Sequence, residues 1–415
     1  MSVTDDLEVA SPLRRMTGTT WWRLLRHTLP IYILSRCCVL AGASVVAAEL
    51  RVDANLADER NLPIADPHGT TNAGSAIRPI LDVLTSWDGL WYMDIVRNGY
   101  PRTIPPDVTY FVDEARAAFF PLFPLVGRAF DRVLPGGDSL AVLVLNMLLG
   151  LIAVVLFALI AEHLYGERVG RTTATLAALF PGSFVLSFAY SEALMLALAA
   201  GCLLMLLYQE WTAAGVLAAL ATATRPNGLA LVVACLVAAG FAIHERRDWS
   251  SLTAVLLAPV GFITFQVWLG QHTGEPGAWF RVQREAWDEG ASFGWTAIRN
   301  TVEAIWQPMT SPTDTITALS FLATIVLVVL AWKAKLPWVL HAYSWAIIVL
   351  MLVPATVTAR PRFVFTAFPL LIGAAKWYDE HRRDRDETLW PMTMAACGAG
   401  LAALTGLYGS FGAIP

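Results

Sequence analysis

Charge is what this sequence has little of: only 15% of its 415 residues are Asp, Glu, Lys or Arg, where a soluble domain carries about 25%. It contains no Lys/Arg block for gripping a nucleic-acid backbone, so no nucleic-acid partner is expected. The net charge of −4 says little about other partners, because the apolar stretches hold almost none of it. Short alternating strands, which a membrane barrel requires, are missing, as are internal repeats and low-complexity segments. The five cysteines (Cys37, Cys38, Cys202, Cys235, Cys397) all lie in apolar segments without metal-ligand spacing. They read as small buried hydrophobes, and neither a metal site nor a cofactor is expected.

What the chain does have is hydrophobic residues, 56% of the total, gathered into long runs. A membrane-crossing helix needs roughly 20 mostly apolar residues, and runs such as 139–160 and 314–332 qualify. The fold class expected is all-α, a polytopic transmembrane helical bundle. The first run, 29–50, follows Arg14, Arg15, Arg23 and Arg26 and exceeds the about 7–15 residues of a signal-peptide core. It reads as an uncleaved signal anchor.

Lys and Arg in the short loops set the orientation. Residues 1–28 are expected in the cytoplasm, followed by one integral-membrane domain over 29–415. Within it, 51–138 form a long first extracytoplasmic loop and 270–313 a second. Spans are expected at 29–50, 139–160, 172–189, 191–208, 252–269, 314–332, 337–353 and 390–408, with another ending at Trp377-Tyr378. Segment 211–243 must enter and leave on the cytoplasmic side, which calls for two short helices meeting at Arg225-Pro226-Asn227-Gly228. Pro-Asn-Gly is turn chemistry, and a helix break at membrane depth is tolerated only inside protein or against a cavity. The count comes to about eleven spans.

Several constellations could carry chemistry on the extracytoplasmic side. In 86–100, Trp87, Trp91 and Ile95 share one face of a helix, with Asp88 and Tyr92 beside them. Asp88 is either a helix cap or a working carboxylate. Glu192, in Tyr190-Ser191-Glu192, either is solvated at the interface or faces a functional cavity. Arg225 sits at the helix break, where a guanidinium could grip phosphate or snorkel to the surface. Ala359-Arg360-Pro361-Arg362-Phe363 puts positive charge outside, against the usual bias. Residues 281–287, with Arg281, Arg284 and Trp287, read as an amphipathic helix for the membrane surface or the site. Arg36 lies near enough to the cytoplasmic end of its span for snorkelling to suffice. One carboxylate and several arginines on one face suit displacement of a lipid-phosphate leaving group by a hydroxyl. They equally suit binding of an anionic lipid.

The order of these motifs resembles the GPI mannosyltransferase II family (PIG-V) and its bacterial relatives in the GT-C superfamily of membrane glycosyltransferases. The residues that carry the resemblance are Trp87-Asp88, Tyr92, Ile95, Gly99-Tyr100, Phe119-Phe120-Pro121, Pro124, 181–183, Tyr190-Ser191-Glu192, Thr224-Arg225, Asn227-Gly228, Arg362-Phe363 and Phe368-Pro369. It implies a GT-C-like bundle in a bacterial plasma membrane and an inverting transfer of mannose from polyprenyl-phosphate-mannose to a lipid or glycan acceptor. It also implies that the catalytic carboxylate is Asp88 and that Arg225 and Arg362 hold the donor phosphate. Trp87, Tyr92, Glu192 and Asn227 are then expected to orient substrate. Pro226 departs from the serine expected there, and Asp94 receives no catalytic role. The alternatives are a transporter or flippase for an anionic lipid, or a non-catalytic binder of a sugar-linked lipid.

Overall fold

A computed structural model describes residues 18–60, 77–287, 290–307, 311–355, 358–382 and 388–414. The described residues are mostly helical, with a single isolated β-bridge among them between Ala291 and Pro354. The first five helices are α1 (Gly18–Arg60), α2 (Ile77–Leu84), α3 (Asp88–Asn98), α4 (Val112–Ala115) and α5 (Leu122–Asp131). Next come α6 (Asp138–Tyr165), α7 (Glu167–Leu179), α8 (Glu192–Leu207), α9 (Trp211–Thr222) and α10 (Ala230–Arg246). Then follow α11 (Leu252–Leu257), α12 (Val260–Thr273), α13 (Ala278–Trp287) and α14 (Trp295–Trp306). The chain closes with α15 (Pro312–Lys333), α16 (Trp338–Leu352), α17 (Pro361–Thr366), α18 (Pro369–His381) and α19 (Leu389–Gly409).

Among the described residues, six helical stretches are long and apolar enough to cross a membrane: Gly18–Leu50, Asp138–Tyr165, Pro226–Arg246, Trp249–Thr273, Pro312–Lys333 and Leu389–Gly409. The chain is accordingly a multi-pass integral-membrane protein. Length alone does not reach the eleven spans expected, because several apolar runs are broken. The run 172–189 becomes the end of α7 followed by a 3-10 turn, Pro181–Leu186. Proline forces such breaks by removing a backbone donor and clashing with the preceding turn. α1 begins at Gly18 and continues to Arg60, so the helix extends beyond 29–50 at both ends.

The core sits where α6, α7, α8 and α18 meet. α6 runs 28 residues, roughly 42 Å at 1.5 Å per residue, and buries Val154, Val155, Phe157 and Ile160 completely. Phe157 stacks on Phe368 at 3.9 Å, joining α6 to the start of α18. Two close approaches shape the site. A Cβ at Gly182 would overlap the Pro361 carbonyl, and one at Gly228 would lie 2.6 Å from the Ala221 carbonyl. Only glycine permits such contact, so the 181–186 turn seats α17 and the 226–229 turn folds back on α9.

Two expectations about buried groups change here. Arg36 does not snorkel. It is 4% exposed, and its guanidinium donates to the Ser183 carbonyl (2.7 Å), Ser183 Oγ (2.9 Å), Ser187 Oγ (3.0 Å) and the Ala178 carbonyl (3.2 Å). The polar 178–187 backbone, freed by the helix break, needs donors at that depth, and Arg36 supplies them. Of the cysteines, Cys202 and Cys235 are buried, whereas Cys37 is exposed on α1.

Candidate active site

Trp87 creates the site by turning the chain. Its φ of 54° is the left-handed region, which costs a bulky side chain on the order of 1–3 kcal/mol and persists only where the surroundings enforce it. The enforcement comes from its indole, which donates to the Tyr408 carbonyl at 2.8 Å and packs on Phe411 at 4.9 Å. The next residue, Asp88, opens α3. Asp88 does not act as the cap: Trp87 occupies that position, and no side-chain capping bond is made.

The Asp88 carboxylate instead meets an arginine 274 positions away. Arg362 Nη1 donates to Asp88 Oδ2 at 2.6 Å, and Arg225 Nη2 lies 3.9 Å from the same oxygen. Arg225 Nη1 also pairs with Glu192 Oε2 at 2.5 Å and donates to Ser191 Oγ at 3.3 Å. Arg362 Nη1 stands 3.7 Å from Glu192 Oε1. Glu192 has no exposed surface, so it is not a solvated interfacial residue. Buried charges of this kind persist only when paired.

Local chain chemistry explains each placement. Arg225 is extended (φ −157°, ψ 154°), as the residue before a proline prefers to be, and Pro226 starts a 3-10 turn three residues beyond the cap of α9. Arg362 follows Pro361, the first residue of α17, where a missing N–H costs nothing. Tyr92, one turn after Asp88 on α3, shares a 2.6 Å hydrogen bond with Ser191 Oγ and thereby braces the Arg225 side of the cluster.

The electrostatics follow from the pairing. Burial pushes the Asp88 carboxyl upward, but Arg362 and then Arg225 outweigh it and hold the group below its ordinary value. Burial pulls Arg362 down, and the carboxylates of Asp88 and Glu192 more than reverse this. Arg360, 7% exposed, is lowered to about 10 by burial and by the like charge of Arg362. Three guanidiniums thus face two carboxylates, an excess of one positive charge.

Aromatic rings form one wall. Trp91 stacks on Phe119 at 5.4 Å and meets Tyr110 at 4.7 Å and Trp287 at 5.9 Å. Burial, with Asp88 second, raises the Tyr110 phenol to about 12. Trp91 Nε1, Tyr190 Oη, Tyr408 Oη and Arg362 Nε are buried without a hydrogen-bond partner. Orphaned donors of this kind mark a place where another polar group belongs.

Of the residues singled out in the sequence, Asp88, Glu192, Arg225 and Arg362 converge, with Tyr92 one hydrogen bond away. Asn227 lies in the 226–229 turn and makes no hydrogen bond or ion pair with that cluster among the described residues. The Trp87 side chain points to Tyr408 and Phe411 rather than into the cluster. Asp94, given no catalytic role, pairs with Arg116 at 2.6 Å. Arg281 is consumed by Glu275, Glu285 and the Pro105 carbonyl, whereas Trp287 of the same helix joins the aromatic wall. Ser191, Tyr110, Arg360 and Tyr408 were not singled out. Ser191 and Arg360 stood inside the motifs already read, but nothing in the sequence marked Tyr110 or Tyr408.

Residues 119–270 match the family described as dolichyl-phosphate-mannose-protein mannosyltransferase. GPI alpha-1,6-mannosyltransferase 2 of Mus musculus is 31% identical over 205 residues, covering 47% of this chain and 38% of that protein. The Rattus norvegicus protein of the same name is 30% identical over 214 residues, covering 49% and 39%. The match thus spans well under half the length of these relatives. Among solved structures, ArnT from Cupriavidus metallidurans is similar with a TM-score of 0.48 and 16% identity, over 78% of this chain and 63% of that one. The oligosaccharyltransferase of Archaeoglobus fulgidus gives 0.43 and 13%, over 91% and 55%. By sequence, then, the chain is a distant relative of the GPI alpha-1,6-mannosyltransferase 2 proteins and carries across 119–270 the pattern described as dolichyl-phosphate-mannose-protein mannosyltransferase, as the order of its motifs led us to expect.

Proposed function

We propose that this chain is an inverting mannosyltransferase that moves mannose from polyprenyl-phosphate-mannose to a lipid-linked or glycan acceptor on the extracytoplasmic face. The membrane is a bacterial plasma membrane, and the bundle is GT-C-like, with about eleven crossings and a long first extracytoplasmic loop. The observation that carries the reading is the buried Asp88–Arg362–Arg225–Glu192 cluster. It combines a carboxylate that can take a proton with cations that can accept a departing phosphate.

In this mechanism the acceptor hydroxyl gives its proton to Asp88 as its oxygen attacks the anomeric carbon. The bond from that carbon to the phosphate oxygen breaks, and polyprenyl phosphate leaves with the electron pair. The leaving group gains a negative charge, which Arg225 and Arg362 offset. Backside attack inverts the anomeric centre. Without donor, the arginines neutralise Asp88 and Glu192. The donor phosphate competes for the same guanidiniums, loosens the Asp88–Arg362 pair, and makes Asp88 a stronger base only once substrate is bound. Arg360 supplies the extra positive charge for a phosphodiester. Tyr92 and Glu192 position Arg225, Trp87 holds Asp88 in place, and Asn227 at the edge of the turn orients sugar or acceptor.

The test is transfer of radiolabelled mannose from polyprenyl-phosphate-mannose into membrane lipids by wild type and Asp88→Asn. A stably folded Asp88→Asn protein is expected to lose ~10²–10⁴-fold in rate, the usual contribution of a general base. Undiminished transfer by that variant would remove Asp88 from the chemistry. Donor-independent movement of lipid across proteoliposomes would favour a flippase instead.

A further inference from the structure

A cavity of about 830 Å³ opens between α3 and α5 on one side and α9 and α12 on the other. None of Asp88, Glu192, Arg225 or Arg362 lines it. Its size is that of a ligand site rather than a packing defect. On α3 the lining residues are Ile95, Asn98 and Gly99, roughly 10–16 Å along the helix from Asp88.

The cavity has two unlike ends. Gly261 lies midway along the candidate span Trp249–Thr273 and packs on the end of α9, where an added Cβ would overlap the Ala219 carbonyl. The walls at this depth are Ala219, Leu220, Ala223 and Val260. Leu220 and Val260, with Trp268 further along, are 38–42% exposed, so the groove is open to lipid along its flank. His272 lies at the other end of the same helix, level with the chain leaving α3 at Tyr100, whose ring meets Trp268 at 5.2 Å. Here the lining becomes Arg102, Arg128 and His272. Arg102 is exposed. Arg128 is held rigid by donating to the Ile95 and Val96 carbonyls at the end of α3. His272 stacks on Trp268 at 4.8 Å, and its Nε2 is buried without a hydrogen-bond partner. The nearby carboxylate of Asp94 is already neutralised by Arg116.

An apolar trough reaching mid-span, with cations and an orphaned ring nitrogen confined to its membrane-surface end, has the polarity of a phospholipid. We propose that this cavity binds an anionic glycerophospholipid from the leaflet on the Asp88 side. One acyl chain lies between α9 and α12, and the phosphate sits among Arg102, Arg128 and His272. Cationic pockets between membrane helices recognise anionic headgroups in this way. A donor polyprenyl chain fits less well. Running outward from a phosphate at Arg225, it would end against the guanidiniums and strip them of water, which is costly. The site stands independently of the reaction at Asp88.

The test uses the full chain in nanodiscs of equal phosphatidylglycerol and phosphatidylcholine, with retained lipid read by native mass spectrometry after detergent extraction. Wild type should keep one phosphatidylglycerol several-fold in preference to phosphatidylcholine. Arg102→Gln combined with His272→Gln should erase the preference, and Thr264→Trp, which fills the trough, should lose lipid of either kind. Thermal unfolding controls for folding in each variant. Equal retention of both lipids by wild type, or a preference untouched by the double variant, would overturn the proposal. So would displacement by polyprenyl phosphate that phosphatidylglycerol cannot reverse, because the trough would then belong to the donor.

Discussion

Two buried arginine sites in this protein make a natural contrast. Arg36 is surrounded by carbonyls and hydroxyls, all neutral, and four of its hydrogen bonds reach across to the 178–187 segment. Arg362 faces two carboxylates, and its Nε has no partner. The two backbone acceptors, the Ala178 and Ser183 carbonyls, cannot move away without unfolding the segment that holds them, and the two serine hydroxyls are short side chains on the same segment, so the Arg36 site is permanent. Ion pairs between side chains can be exchanged for a ligand anion of similar geometry at small cost. The lesson is that burial of an arginine does not mark function; an incomplete set of exchangeable partners does.

The sharpest way to break this comparison is Arg362→Gln. It removes a charge aimed at the leaving phosphate, and transfer should fall ~10²–10³-fold, as for other single electrostatic contacts to developing charge. The variant should also shift the acid limb of kcat/KM. In wild type Asp88 lies below its ordinary value, so the limb should fall below the usual carboxylate range. Without Arg362, the upward push of burial meets less opposition, and the limb should move to higher pH. The sign for stability is the same. A depressed carboxylate stabilises the fold above its unfolded pKa, and that contribution is lost as pH falls through the folded value. In Arg362→Gln the loss should begin at higher pH, which thermal unfolding across pH 3–7 would record. A limb that stays where it was would mean that Arg362 does not govern Asp88.

Arg36→Met should do the reverse. Stranded acceptors cost about 1–3 kcal/mol each, so the unfolding temperature should drop while transfer per folded molecule stays near wild type. If activity fell and the unfolding temperature held, Arg36 would belong with Arg362. The smallest effect is expected from Trp87→Phe, which keeps a ring against Phe411 but loses the bond to the Tyr408 carbonyl, worth about 0.5–1.5 kcal/mol. Because that bond helps hold the strained turn, kcat should decline with little change in KM.

Much of this was legible residue by residue. Long apolar runs became α6 and α15, and Pro-Asn-Gly at 226–228 became the predicted helix break. The motifs that held Asp88, Glu192, Arg225 and Arg362 could be read one at a time, because ionisable residues stand out against an apolar background. Partnership could not be read. Asp88 and Arg362 are 274 positions apart, and no local pattern relates them. For Arg36 the sequence offered snorkelling as a sufficient explanation, because its acceptors lie on a turn whose position depends on the packing of other helices. Asn227 stood in the right tetrapeptide, yet among the described residues it makes no hydrogen bond or ion pair with the cluster.

By itself, then, the sequence determined that this is a multi-pass helical membrane protein. It also determined which few charged residues are placed where lipid would reject them, since hydropathy and charge are local properties of a chain. Tertiary structure alone decided which of those charges face one another, which arginine is satisfied by backbone and which by carboxylate, and where a trough opens between helices. Those outcomes depend on distances between segments far apart in the chain, and such distances are set only when the helices pack.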